Sequence, residues 1–435
     1  MILPEITSVT PINAATNVAI NSTITATFSV AMDPATMINT AAFTLQKGAI
    51  PVTGTVTYSG TTATFTPLSN LIPNIIYTAT ISTGAKSTLD VALESNYSWS
   101  FKTARDYTAW IDQGIVYSAP FAGDAYYPSV IYDANGFGSG TPGYAMWYTN
   151  GSGSVFLTTS IDGLVWGAPA TMTGLVNAHH VQVLYDMNCF GAIPCNAGTP
   201  KYKMWFWDIT KLYEISSIAT AKSADGINWV NQAAVTQNAA AKLIQDPDTG
   251  VGWNRGTYGP VNLFYQANAL NTGTEPWNYS YVMYYDGTDG SVEETGLAYS
   301  TDGSYWNAYT VNPVLDGSSV GAWDCKSSVY GTIYKDSAGA HYFYSGKGED
   351  DGIGGCTFPV SGNFDGIGYA YSADDGKTWT KSTANPIFHV NDGMPYRDDR
   401  IYTPSVVDDG TGILKMYYSA KEVGGPKKIG LAILN

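Results

Sequence analysis

Positive charge is what this sequence has least of. Lys and Arg number 21 against 36 Asp and Glu in 435 residues, a formal net charge of −15, and there are only 4 His. Nucleic acids and anionic lipid surfaces need a basic footprint that releases counterions, so neither is expected as a partner, and neutral or cationic ligands fit better. No run of 18 apolar residues occurs, so no membrane-spanning helix is expected. Cysteine is scarce as well, with four residues, and no Cys-x-x-Cys pair completes a zinc site. The four fall into two local pairs, Cys189 with Cys195 and Cys325 with Cys356. That spacing suits two disulfides and an oxidising compartment, the alternative being four free thiols. No secretory leader is visible. Met1 runs straight into a strand pattern, as expected of an exported chain whose leader has been removed.

Aromatics and glycine are plentiful: 32 Tyr, 12 Trp and 46 Gly, with aromatic residues as frequent as charged ones at 13%. That balance suits short aromatic strands joined by tight turns, an all-β chain, and its length predicts more than one domain. Residues 1–104 read as a β-sandwich, with strands at Ile6–Val9, Thr23–Val30, Thr55–Ser59, Thr62–Thr66, Tyr77–Ser82 and Tyr97–Lys102 separated by turn residues. The strings TFSVAMDPATM (from Thr27), GTVTYSGTTATFTP (from Gly54), YTATISTGAK (from Tyr77) and YSWSFKT (from Tyr97) resemble the bacterial Ig-like domain of S-layer and other exported surface proteins. The resemblance implies a spacer or attachment module with cell-surface association, and no chemistry.

Residues 105–435 repeat themselves, and an internal repeat decides a fold before any motif does. One turn recurs as SIDGLVW (Ser160–Trp166), SADGINW (Ser223–Trp229), STDGSYW (Ser300–Trp306) and SADDGKTW (Ser372–Trp379). Its Asp caps backbone amides, its Gly supplies positive φ and its Trp packs between sheets, a structural role for these aspartates rather than a catalytic one. An aromatic strand precedes each turn: YAMWYT, YKMWFWD, YVMYYD and HYFYSG. A fifth copy, KMYYSAK (Lys415–Lys421), has no turn after it. The segment DYTAW (Asp106–Trp110) with IDQGIVYS repeats the Asp-to-Trp spacing, so it should pair beside the strand around Ile429–Leu434 and close the last repeat. The turns resemble the Asp-box of sialidase-type propellers. The count and pattern resemble the five-bladed propellers of the arabinanase, levansucrase and invertase superfamily, which includes glycoside hydrolase families 43 and 32. This implies an Ig-like β-sandwich followed by a five-bladed β-propeller whose funnel handles carbohydrate.

Glycosidases of that superfamily carry carboxylates at the starts of the innermost strands. Here the matched positions are Tyr127-Pro128, Val181 or Gln182, and Tyr258-Gly259-Pro260, none of them acidic. Candidate catalytic acids are therefore neighbours: Asp124 and Asp324, each a few residues before an inner strand, with Asp399 and Glu349. The alternative for each is a solvated loop acid. Candidate substrate-binding residues are Tyr127, His179, His180, Arg255, Tyr258, Lys326 and Arg400. For the His pair the plain alternative is a structural role, and for the Arg residues an ion pair with a rim aspartate. The loop Gly346–Gly366, pinned by Cys356 to Cys325, brings Glu349, Asp350 and Asp351 within reach of ligand or Ca²⁺, with Asp286–Glu294 as a second acidic loop. No other cofactor is indicated. The leading expectation is a secreted or cell-surface glycoside hydrolase with a non-standard acid pair. The alternatives are a non-catalytic glycan-binding, adhesion or surface-layer protein, and a polysaccharide lyase using Tyr127 or Tyr258 with His179 or His180.

Overall fold

A computed structural model describes residues 2–38, 42–120, 123–211, 214–244, 253–289, 291–317, 322–350, 356–357 and 364–435, with backbone alone at 349–350 and 356–357. The chain divides into two compact units, Met1–Tyr107 and Thr108–Asn435.

The first unit is two facing sheets. One holds Ile6–Thr10, Ile24–Phe28, Thr62–Pro67 and Gly54–Ser59 in that spatial order. The other holds Ala15–Val18, Tyr97–Thr103, Ile76–Ile81, Phe43–Lys47 and Ile50–Pro51. Alternation along Ile24–Phe28 and Phe43–Lys47 sends Ile24, Ala26, Phe28, Phe43 and Leu45 inward, where they meet Phe65, Trp99 and Phe101 in one core. The strands Ala15–Val18, Phe43–Lys47 and Ile50–Pro51 were not among those expected; they are short, and turns crowd them on both sides.

The second unit is built of antiparallel four-stranded meanders. Their first strands are β1 (Tyr126–Asp133), β2 (Ala178–Tyr185), β3 (Pro260–Tyr265), β4 (Ser327–Asp336) and β5 (Arg400–Asp408). Each first strand lies against the next, and β5 lies against β1. Side chains tie them: the Ser129 hydroxyl accepts from Val183 N (3.1 Å), Asn262 Oδ1 from Ile333 N (2.9 Å) and the Ser405 hydroxyl from Val130 N (3.1 Å). The third and fourth meanders also join edge to edge, Glu293 pairing with Ser327. In the fifth, β5 is followed by Leu414–Lys421 and Lys427–Leu434, and the fourth strand comes from earlier in the sequence. Ile111–Tyr117 pairs antiparallel with Lys427–Leu434, Ile111 opposite Ile433 and Tyr117 opposite Ile429, the pairing expected from the repeat.

The repeated turns behave as their chemistry dictates. Asp162 Oδ1 accepts from Leu164 N and Val165 N at 2.8 and 2.9 Å, and Ser160 Oγ accepts from Gly163 N at 2.9 Å; the turns at Asp225, Asp302 and Asp374 repeat the pattern. Each turn docks on the preceding sheet through its glycine carbonyl. Gly226 accepts from Trp147 Nε1, Gly303 from Trp205 Nε1, Gly376 from Tyr284 and Gly163 from Tyr417, at 2.7–3.0 Å. The fifth sheet lacks such a turn, and Trp110 packs edge-on against Phe343 of the fourth sheet instead, ring centroids 5.2 Å apart.

Cys189 and Cys195 form a disulfide. Cys325 is also disulfide-bonded, while the side chain of its expected partner, Cys356, lies outside the described residues.

Candidate functional site

At the start of every first strand the ladder slips by a residue. In four of them a residue inside the slip takes positive φ, Tyr127 (54°), His180 (49°), Tyr330 (41°) and Thr403 (50°); in the third the slip falls between Pro260 and Asn262, and Gly259, just before the strand, has φ of 121°. Such bulges bend a strand and re-aim a side chain. Here they turn aromatic rings toward one another. His180 stacks on Tyr330 (4.6 Å, 4°) and on Trp207 (5.4 Å), while Tyr127 meets His180, Tyr402 and Tyr330 edge-on at 3.7, 5.4 and 6.2 Å. Phe364 lies flat on Tyr402 (5.8 Å, 8°). Beneath this aromatic floor, between Pro128, Gln182, Val261 and Pro404, is a cavity of about 20 Å³, room for a single water.

Ionisable groups flank the floor on two sides. On the third and fourth sheets Asp286 is fully buried and accepts from the Tyr330 hydroxyl (2.7 Å). Burial, then the nearby Glu293, raises its pKa well above the ordinary carboxylate value, against the Tyr330 hydrogen bond and Lys347. Glu293 accepts from Ser327 Oγ (2.8 Å) and from Lys347 Nζ (3.1 Å). On the other side, where the first, second and fifth sheets meet, His179 Nε2 bonds the Tyr126 hydroxyl at 2.8 Å. Burial and then Lys427 lower His179 to about 4, leaving it neutral, while burial and then Asp124 raise Tyr126 to about 12 against the pull of Arg400. Neither ring nitrogen of His180 completes a hydrogen bond, the Tyr258 backbone being the polar group beside it, and burial drives its pKa well below the usual value.

The sequence candidates divide. Tyr127, His179 and His180 come together at the floor, and Tyr258 reaches it through Trp207 (5.6 Å). Asp124 is ion-paired with Lys427 (3.5 Å) and accepts its backbone N–H. Asp399 holds Lys421 (2.7 Å) and Arg400 (3.5 Å). Asp324 is placed elsewhere: buried in the fourth sheet, it accepts from Tyr344 and from Lys381, both at 2.8 Å. Arg255 is exposed. Lys326 is half-buried, and its carbonyl accepts from Glu293 N. The side chains of Glu349 and Asp350, and all of Asp351, lie outside the described residues; among those described, no group of three His, Cys, Asp or Glu could hold a metal ion. The stretch Asp286–Glu294, expected as an acidic loop, is strand at both ends, Thr288 pairing with Glu293. Its strand ends are buried, which removes Asp286 and Glu293 from solvent. Tyr126, Trp207, Tyr330, Phe364 and Lys347 were not singled out from sequence. Aligning the five bulges would have found Tyr330.

Residues 2–103 match the model of the bacterial Ig-like domain family. No curated protein matches the sequence. A solved structure of a BT0996–RGII complex is 15% identical, covers 74% of this protein and 91% of its own length, and aligns with a TM-score of 0.50; the likeness is one of fold. Another, named "Glycoside hydrolase", is 14% identical over 74% of this protein and 91% of its own length (TM-score 0.49). A glycosyl hydrolase from Bacteroides ovatus is 15% identical over 72% and 84% (TM-score 0.42).

Proposed function

We propose that this is a secreted, carbohydrate-active protein in which an Ig-like module, residues 1–104, carries a five-bladed β-propeller, residues 105–435, that hydrolyses an extracellular glycan at its funnel mouth. Support for the propeller comes from the five first strands, each against the next, and from the fold likeness to the RGII-complex structure. The observation that carries the glycan reading is the aromatic floor of Tyr127, His180, Tyr330, Tyr402 and Phe364, with charged groups on both flanks. Sugars present apolar ring faces to stack and hydroxyls to hydrogen-bond, which this combination of surfaces matches.

For hydrolysis one carboxyl must hold a proton for the leaving oxygen while another stays ionised to activate water or attack carbon. Asp286, its pKa raised by burial, suits the first role, with the Tyr330 hydroxyl that donates to it fixing its position; Asp124 and Asp399, ion-paired with lysines on the opposite flank, suit the second. The test is release of reducing ends across a polysaccharide panel. Asp286→Asn is expected to lower turnover by about 10² to 10⁴-fold, the usual contribution of general acid–base catalysis. Unchanged turnover in that variant overturns the assignment. A second reading, β-elimination beside a uronate, is favoured by the Tyr126–His179 hydrogen bond; products absorbing as unsaturated sugars would replace hydrolysis with it.

A further inference from the structure

Three residues before its positive-φ position, each of the last three meanders has a residue paired across to its second strand. In the third sheet this is Gly256, bridged to Thr288, and in the fourth it is Ser327, opposite Lys347. In the fifth it is Arg400, opposite Lys421, which is in turn opposite Lys427. Residues directly opposite in antiparallel strands share a face with Cβ atoms about 5 Å apart, and like charges so placed repel. A protein with 21 basic residues and a net charge of −15 thus sets three cations in one row.

Two carboxylates answer the three cations. Asp399 takes Lys421 at 2.7 Å and meets Arg400 Nε at 3.5 Å, and Asp124 meets Lys427 at 3.5 Å. Among the described ion pairs the row is one positive charge in excess, since His179 beside it is neutral. Burial first, and then Arg400 and Lys421, pull the Lys427 amine below its usual pKa against Asp124, the expected signature of crowded cations. Among the described hydrogen bonds none uses the terminal nitrogens of Arg400, which is a third exposed and close enough to Tyr126, Tyr127 and Tyr402 to act on their ionisation. The Lys427 ammonium stands over the Tyr126 ring at 3.6 Å.

We propose that the row Arg400–Lys421–Lys427 is a carboxylate-binding subsite, and that the glycan taken by this funnel is a uronic-acid polymer. The inference rests on the glycan reading above and adds its substrate class. A sugar carboxylate is planar and fits the open fork of Arg400 with two parallel hydrogen bonds while the sugar ring lies against the partly exposed Phe364. It also supplies the negative charge that the row lacks.

The test uses the intact protein and calorimetric binding to oligosaccharides of galacturonate, glucuronate and mannuronate, each beside its carboxyl-reduced, neutral counterpart. At least one uronate is expected to bind about 10- to 100-fold tighter than its reduced form, the worth of a charge-assisted bidentate contact. Arg400→Met is expected to erase that difference, and Arg400→Lys to keep part of it. Lys428→Gln, which removes a neighbouring lysine paired with Glu422 instead, is expected to leave it intact. Melting curves check that each variant is folded. Equal binding of acidic and reduced forms overturns the inference and leaves the glycan reading standing. Preference for a sulfated neutral glycan, or an equal loss in Lys428→Gln, also overturns it. If no glycan binds in either form, the glycan reading falls and this subsite with it.

Discussion

Glu294 lies half-buried in the third sheet, next in sequence to Glu293 but on the other face. Burial, then Asp316 and Asp289, raise its pKa to about 7 from an ordinary 4.5, with Lys381 opposing. A carboxyl whose folded pKa is raised stabilises the fold while protonated. That contribution is complete below pH 4.5 and is lost as pH climbs through 7. Glu294→Gln keeps the shape without the titration, so its melting temperature should match wild type near pH 4.5 and exceed it by a growing margin up to about pH 7–8. A margin independent of pH would refute this. At this scale the sequence revealed the mouth unevenly. Asp124 and Asp399 were legible because each precedes a first strand by a residue or two. Asp286 and Glu293 were not, because DGTDGSVEE has the composition of a solvated loop and nothing local signals that its ends pair and are buried. Trp207 and Phe364 reach the floor only by packing across sheets, which no spacing encodes.

The repeated turns show what a motif can specify at the level of an element. Around Asp225, burial pushes the carboxyl pKa up. The amides of Asn228 and Ile227, the Asn228 side chain and the Ser223 hydroxyl outweigh it and hold the group at about 2. Asp225→Ala should then cost about 1 kcal/mol at pH 7, as loss of a cap does, with glycan turnover unchanged. Urea unfolding measures the first and product release the second. The bulges are the opposite case. Positive φ in Tyr127, His180, Tyr330 and Thr403 contradicts their residue types, β-branched Thr403 most of all, so local propensity predicts unbroken strands there. Only in the third sheet does the residue with positive φ suit it. Gly259 has φ of 121°, and a Cβ there would meet the Trp207 Cβ at 2.9 Å. Gly259→Ala should destabilise by about 1–3 kcal/mol and displace Trp207, quenching or shifting its fluorescence. A variant as stable as wild type would mean that the position tolerates an L side chain.

At the scale of the molecule each unit has its own core, so residues 108–435 should fold without the Ig-like segment, whereas their fold depends on the strand Ile111–Tyr117. That dependence was readable from the spacing of DYTAW and IDQGIVYS; the way the strand is held was not. Asp112, an unremarkable acid in the sequence, accepts from Tyr418 (2.6 Å), Tyr396 (2.7 Å) and Arg397 Nε (3.2 Å), and the Arg397 side chain is only 2% exposed. Farther along the strand Tyr117 enters the core with Tyr417, Ile429 and Leu431 and shares a hydrogen bond with Tyr148 at 2.9 Å. Removing Asp112 takes one of two carboxylate partners, the other being Asp392, from a buried guanidinium, a loss on the order of 3 kcal/mol. Deleting residues 1–118 removes the whole strand, opens the edge of Lys427–Leu434 and strips Tyr117 from the core. Deletion of 1–104 is therefore expected to give a soluble protein with one cooperative melt. Asp112→Ala in that shortened protein should melt several degrees lower, and deletion of 1–118 should give no cooperative transition. A cooperative melt from the longest deletion would show that the strand decorates the fifth sheet without closing it.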